Sequence, residues 1–290
     1  MQPEESIGHI IEVFQRIEIT EHHIYKRLAK NIKDPENSKI LNQISDDELR
    51  HYEDWKNYTQ REIKPNLWNV WKYYLISRIF GFTFGIKLME HGEERAQENY
   101  ARLKGKVPGI EKWIHDEEVH EQKLLEMLDE ERLRYAGSVV LGLNDALVEL
   151  TGALAGLTLA LQNVKLIALS GLITGIAASL SMAASEYLST RSEDTQKQPV
   201  RAAIYTGIAY IITVTLLVLP YLLIQNYILD LVITLSVAIL IIAAFNYYIS
   251  VAKDEPFRPR FFEMAGLSLG VAAFSFLVGF LMRAFLGIDI

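Results

Sequence analysis

The stretch DDELRHYEDW, Asp46 to Trp55, puts Glu48 and His51 three residues apart, which is one turn of one face if the segment is helical. The same spacing returns at HDEEVHEQKL, His115 to Leu124, where Glu117 and His120 repeat it. A single Glu-x-x-His is usually a solvated helix face. Two of them, in a chain without a cysteine, raise the question of a metal held by carboxylate and imidazole.

Working outward, apolar residues recur with helical period from about Pro3 to Asn31, with Ile7, Ile10, Ile11, Phe14, Ile17 and Tyr25 on one broad face. DPENSK ends this first helix, and Asp34 followed by Pro35 reads as the cap and first position of the next. A second helix is expected from about Glu36 to Arg61, a third from Leu67 to Leu103, and a fourth, after GKVPG, from Ile110 to Arg134. The third opens as LWNVWKYYLISRIFGFTFGIKLM, very apolar but interrupted by Lys72, Arg78 and Lys87, so it is expected to be buried or membrane-touching rather than a span. Short connections suit an antiparallel four-helix bundle. Carboxylate-bridged di-iron bundles take one Glu from each of two helices and a Glu-x-x-His from each of the other two. Here the second and fourth helices carry the Glu-x-x-His pairs; the first offers Glu18 and the third Glu90 and Glu93. Glu18 precedes Tyr25 by seven residues and Glu93 precedes Tyr100 by seven, so the bundle reads as two copies of one ligand-bearing hairpin. Buried together without a counter-charge, so many carboxylates would be prohibitive; two divalent cations neutralise them.

Composition divides the chain near Tyr135. Residues 1–134 hold 26 of the 36 acids, 21 of the 29 Lys and Arg and all seven histidines, a net charge of −5 that disfavours nucleic acid. The N-terminus lacks a basic stretch followed by an apolar core, so no cleaved signal peptide is expected. Beyond Tyr135 the apolar runs reach the ~20 residues that cross a bilayer, and five spans are expected at 136–161, 166–188, 201–225, 228–252 and 262–286. Lys and Arg gather before the first span and in the second and fourth loops. This orients residues 1–134 to the cytosol and the C-terminus outside, with Arg283 the one awkward cation. Glycines at four-residue spacing (Gly152 and Gly156, Gly171 and Gly175, Gly266 and Gly270) suit either packing within one protomer or a dimer interface.

GLNDALVELTG in the first span sets Asp145 and Glu149 one turn apart, roughly 14 to 20 Å into the helix. Ionisable groups at that depth cost at least about 2.5 kcal/mol each and normally face a partner or a water-filled path. SLSMAASEYLS in the second span sets Met182 and Glu186 on one face. A thioether beside carboxylates is a plausible transition-metal constellation and a poor proton wire.

Two resemblances follow. GLNDALVELTGALAGL and GIAASLSMAASEYLSTRSE resemble the first two membrane helices of the vacuolar iron transporter family, which exchanges ferrous iron, and sometimes manganese, for protons. That resemblance implies an ion path through Asp145, Glu149, Met182 and Glu186. Members of the family usually insert a Glu-rich cytosolic region between spans two and three; here Arg191 to Arg201 is a short loop. Residues 4–130, through EITEHHIY, DELRH, LMEHGEE and DEEVHE, resemble rubrerythrin and the ferritin-like superfamily. This implies Glu18, Glu48, His51, Glu90, Glu93, Glu117 and His120 as di-iron ligands. Glu21, Glu94, Glu118 and Glu121 stand close enough to shift that assignment by one position, and the Cys-rich electron-donor module of rubrerythrin is absent.

The expected architecture is all-α: a cytosolic ferritin-like four-helix bundle, residues 1–134, followed by a five-helix transmembrane domain, residues 135–290. The expected function is proton-coupled ferrous-iron export across a cell membrane, with the bundle collecting the metal and a homodimer as the assembly. Two alternatives stand: a membrane-tethered di-iron oxidase or peroxide scavenger, and manganese as the cargo.

Overall fold

The computed structural model describes residues 7–32, 34–89, 110–126, 134–193 and 197–286, and every regular element among them is helical. The chain divides into two compact units, Met1–Glu130 and Glu131–Ile290.

In the first unit, α1 (Ile7–Ala29) and α2 (Pro35–Thr59) pack along their lengths. The Asp34 carboxylate accepts from the Glu36 and Asn37 amides at 2.9 and 3.0 Å, filling donors that the first turn of α2 leaves open. The third helix, α3 (Leu67–Phe80), packs on α1, and α5 (Ile110–Glu126) packs on α2. Apolar side chains form two clusters. One gathers Ile10, Ile11, Phe14, Trp55 and Ile110; the other gathers Ile24, Leu28, Leu41, Ile44, Val70 and Leu124. Read along α1, α2 and α5, each helix passes from one cluster to the other through a polar stretch around Glu18, around Glu48 and His51, and around Glu117 and His120. The polar residues are therefore a layer inside the bundle.

The third helix departs from its expected course to Leu103. It stops at Phe80 because Gly81 adopts φ 104 and ψ 152, a backbone region that only glycine enters cheaply, and the chain turns helical again over 82–89 (α4). Gly85 then approaches Ser77 so closely that a side chain there would collide with it. The opening of this helix is not buried: Trp68, Trp71, Leu75 and Ile79 are exposed, and only Val70 and Ser77 are enclosed. Glu90, Glu93, Glu94 and His91 lie outside the described residues.

The second unit holds five helices long and apolar enough to cross a membrane: α6 (Ala136–Leu161), α7 (Val164–Ser192), α8 (Pro199–Leu223), α9 (Tyr227–Lys253) and α10 (Phe257–Leu286). They overlap the five expected spans, with bounds shifted by at most five residues, at the start of α10. Part of their surface reverses the pattern of a water-soluble bundle. On α7 large apolar side chains are exposed at Leu169, Ile173, Ile176, Leu180 and Leu188, while Gly171, Gly175, Ser179, Glu186 and Thr190 face inward together with Ile167 and Ala168. Large apolar side chains outside and small or polar ones inside is the arrangement that lipid favours. A Cβ on Gly279 would strike the Gly156 backbone, and one on Gly175 would strike Val214, so these glycines serve contacts within the unit. Gly266 and Gly270 meet nothing within 4 Å.

Candidate metal centre and membrane path

Glu18 reaches the bundle interior from α1, Glu48 and His51 from α2, and Glu117 from α5. One ligand atom from each of the four lies within 4.8 Å of all the others. His51 Nδ1 stands 3.4 Å from Glu48 Oε2, 3.5 Å from Glu117 Oε1 and 3.6 Å from Glu18 Oε2. His120, also on α5, places its Nδ1 3.1 Å from Glu48 Oε1 and 4.0 Å from Glu117 Oε2. Glu48 is the hub of the group, with one oxygen toward each imidazole.

The outer ring nitrogens show a relation that spacing alone does not express. His51 Nε2 meets Asp116 Oδ2 at 3.2 Å, and His120 Nε2 meets Asp47 Oδ2 at 3.2 Å. Each Asp stands just before the Glu of the opposite motif, so the two Asp-Glu-x-x-His segments grip one another across the site. An outer carboxylate that takes the Nε2 proton leaves Nδ1 as a lone-pair donor aimed inward and fixes the ring. Asp47 and Asp116 were missed among the candidate ligands. The signal available was the residue preceding each Glu, identical in DELRH and DEEVH.

Below this layer, Trp55 Nε1 donates to Glu18 Oε1 at 3.3 Å, and Trp55 stacks on Trp113 at 4.3 Å. Trp55 is fully buried, so the Glu18 carboxylate meets an indole N–H rather than water on this side.

Among the protein's own groups the electrostatics are strained. Burial, then the Glu117 charge, pushes Glu48 up to about 8. Burial also raises Glu117. For His51 and His120 burial alone would favour the neutral ring. Hydrogen bonding to Glu117, Glu18 and Glu48 outweighs it for His51, and to Glu48 for His120, so both are raised. Glu18 moves the other way: burial would raise it, but hydrogen bonds with His51, Glu48 and Trp55 and the His51 charge bring it below the usual carboxylate value. The cluster thus keeps protons where a divalent cation would supply the same charge. Glu48 Oε2 and the Nδ1 atoms of His51 and His120 are buried without a well-aligned hydrogen bond. Convergent carboxylate oxygens and imidazole nitrogens are donors that ferrous iron and manganese(II) accept, so the residues fit such a metal.

The neighbouring acids separate by position. Glu21 is buried but stands outside this group, with Arg16, Thr20 and Asn69 along a groove beside α1. Glu118 points out beside His115, both largely exposed. His22 ties α1 to α2 through the Ser45 carbonyl at 2.6 Å.

In the second unit, α6 is not one regular helix. Ala146–Leu150 winds as a π-turn between Asp145 and Thr151. Such turns shift the carbonyl register and are frequent at functional sites. The Leu147 carbonyl is taken by the Ser268 hydroxyl of α10 at 2.6 Å. The two acids of this span, Asp145 and Glu149, share the Tyr210 hydroxyl, which donates to Glu149 Oε2 at 3.1 Å. Tyr210 is fully buried, Asp145 half-buried and Glu149 exposed on the unit's surface. Nearer the start of α6, Ser138 donates to Glu186 Oε1 at 2.5 Å and Thr190 approaches the same oxygen at 3.5 Å. Glu186 is therefore an enclosed, hydrogen-bonded group. Met182 lies half-buried against the apolar cluster that contains Ala146 and Leu147. Sequence reasoning found the acids but missed Tyr210, Ser138 and Ser268, whose polar roles arise only when helices meet.

Fold and site together define a multi-pass helical membrane protein with ionisable groups inside its spanning region. Residues 136–198 match the model of the VIT family. With the five apolar helices, this supports a membrane domain of the vacuolar iron transporter type, a class that handles iron or manganese. No curated protein matches the chain.

Proposed function

We propose that the chain is a membrane transporter of divalent iron, with manganese an alternative cargo of the same chemistry, and that its first unit collects the metal. The observation that carries the reading is the convergence of Glu18, Glu48, His51 and Glu117 within 4.8 Å inside the bundle, in a chain whose residues 136–198 match a metal-transporter family. The short loop between α7 and α8 leaves the usual Glu-rich collecting region without a place, and the buried cluster supplies the same donor chemistry elsewhere in the chain. Cytosolic metal bound by Glu48, His51 and their neighbours passes to the membrane unit, meets Glu186 and then Asp145 and Glu149, and leaves on the far side in exchange for protons. Glu90 or Glu93 completes a di-iron ligand set.

A homodimer fits this reading. Glu149 is exposed halfway along a span, where an ionisable group needs a partner or water, and Gly266 and Gly270 leave a smooth uncovered stripe on α10. The rival, a tethered di-iron oxidase, draws on the same bundle residues but gives Glu186, Asp145 and Glu149 nothing to do.

The test is ferrous-iron flux into proteoliposomes carrying the full chain. Asp145→Ala is expected to reduce flux to the level of protein-free vesicles. Flux at the normal rate would remove Asp145 from the path, and no flux with the unaltered chain would favour the oxidase.

A further inference from the structure

A third group of polar residues lies inside the membrane unit, at the end opposite Ser138 and Glu186. Thr158, near the end of α6, is roughly 30 Å from Ser138 along the helix axis. Its hydroxyl lies 2.7 Å from the Tyr221 hydroxyl of α8. Asp230 stands in the first turn of α9. Asp230 and Thr158 are fully enclosed, Tyr221 is almost so, and neither Asp230 oxygen has a hydrogen-bond partner among the described residues.

A count of hydroxyl protons shows why. Thr158 donates to the Leu154 carbonyl at 2.6 Å, so in its contact with Tyr221 the tyrosine must be the donor. Thr234, one turn beyond Asp230, spends its proton on the Leu217 carbonyl at 2.9 Å. The α9 amides that could have served Asp230, those of Ile228 and Leu229, are taken by the Asn226 side chain. The hydroxyl protons of Thr158, Tyr221 and Thr234 are thus committed, and what these groups have left are oxygen lone pairs. An ionised carboxylate there has no donor, and a buried ionised group without one is heavily penalised. The neutral acid carries no charge to compensate.

Among the described residues no charged side chain pairs with Asp230. Of the elements packed on α9, α8 contributes Tyr221, the second half of α6 contributes no ionisable residue, and α10 contributes at this end only Arg283, which forms no ion pair with Asp230 among the described residues. One carboxylate with no imidazole or thioether is also a poor transition-metal site.

We propose that Asp230, enclosed and without a hydrogen-bond donor, is a proton-binding site of the membrane unit, set at the opposite end from Glu186. Resting on the transporter reading, it is the group that takes up and releases the proton exchanged for metal. The proton comes from water at that end and returns to it, and the metal keeps to Glu186, Asp145 and Glu149.

Two readouts on the full-length protein test this. Infrared spectroscopy should show a band from a buried protonated carboxylic acid at neutral pH that disappears in Asp230→Asn and shifts in Asp230→Glu. A spectrum unchanged by both substitutions overturns the proposal, whether or not the protein transports anything. A band that responds to sodium at fixed pH also overturns it, by handing the site to a monovalent cation. In proteoliposomes with a pH-sensitive dye inside, Asp230→Asn should lose metal-driven proton movement while downhill ferrous-iron movement continues. Proton movement equal to the unaltered chain overturns the proposal. Loss of both fluxes at an unchanged melting temperature also overturns it, by putting Asp230 on the metal's own path. If the unaltered chain moves no metal at all, the transporter reading fails, and the infrared result still decides what Asp230 binds.

Discussion

Asp47 and Asp116 work at one remove from the proposed metal, each taking the outer nitrogen of the histidine in the opposite motif at 3.2 Å. Outer carboxylates of this kind typically govern metal affinity by 10- to 100-fold. Asp116→Asn should therefore weaken ferrous-iron or manganese binding about tenfold or more while the bundle stays folded, because the amide cannot accept the ring proton as a carboxylate does. Glu48→Gln should cost more, since Glu48 faces both imidazoles. Metal titrations of the purified protein, with circular dichroism as the folding control, check both. Equal affinity in Asp116→Asn would reduce that contact to bundle packing. At this scale the inner residues were legible beforehand, because Glu-x-x-His is a local spacing. The swapped Asp–His contacts were not, because each joins residues 65 or more positions apart.

Among the elements, glycine placement sets how closely the membrane helices meet. Gly279 of α10 lies against the Gly156 backbone of α6, so Gly279→Leu must push the two helices apart, and overpacking of this kind costs about 1–3 kcal/mol or more. A fall of several degrees in the melting temperature of the detergent-solubilised protein is expected. Gly270→Ala, with open space around the position, should leave the monomer's melting temperature within about a degree, since exposed substitutions rarely exceed 0.5 kcal/mol. The spans themselves were readable from hydropathy because lipid imposes length and composition on each helix independently. The π-turn at Ala146–Leu150 was not, since α and π winding use the same apolar residues, and the hydroxyl that takes the Leu147 carbonyl belongs to Ser268 on α10. The break at Gly81 is intermediate: the glycine is visible in the sequence, but a positive φ there rather than an uninterrupted helix is a matter of how Ser77 and Gly85 pack.

For the whole molecule, a metal held in the layer of acids inside the first unit would make folding and binding one equilibrium. A ligand at about 100 times its dissociation constant stabilises the folded state by about 2.7 kcal/mol. Ferrous iron or manganese at that excess should raise the melting transition of the first unit in the full-length protein. A chelator should reverse the effect, and Glu48→Gln should abolish it. An unchanged transition in the unaltered protein would show that the cluster holds no divalent metal.

Sequence by itself determined the division into a charged, histidine-bearing half and an apolar half, the positions of the spans, and the candidate acids and histidines. Those are properties of composition and period, carried within single helices. Tertiary structure alone decided which acids converge, which imidazole nitrogen faces inward, that Glu186 is enclosed by Ser138, and that Asp230 lacks a donor. Each of these depends on side chains far apart in the chain arriving at one place, and hydrogen-bond satisfaction is a property of that place rather than of any segment.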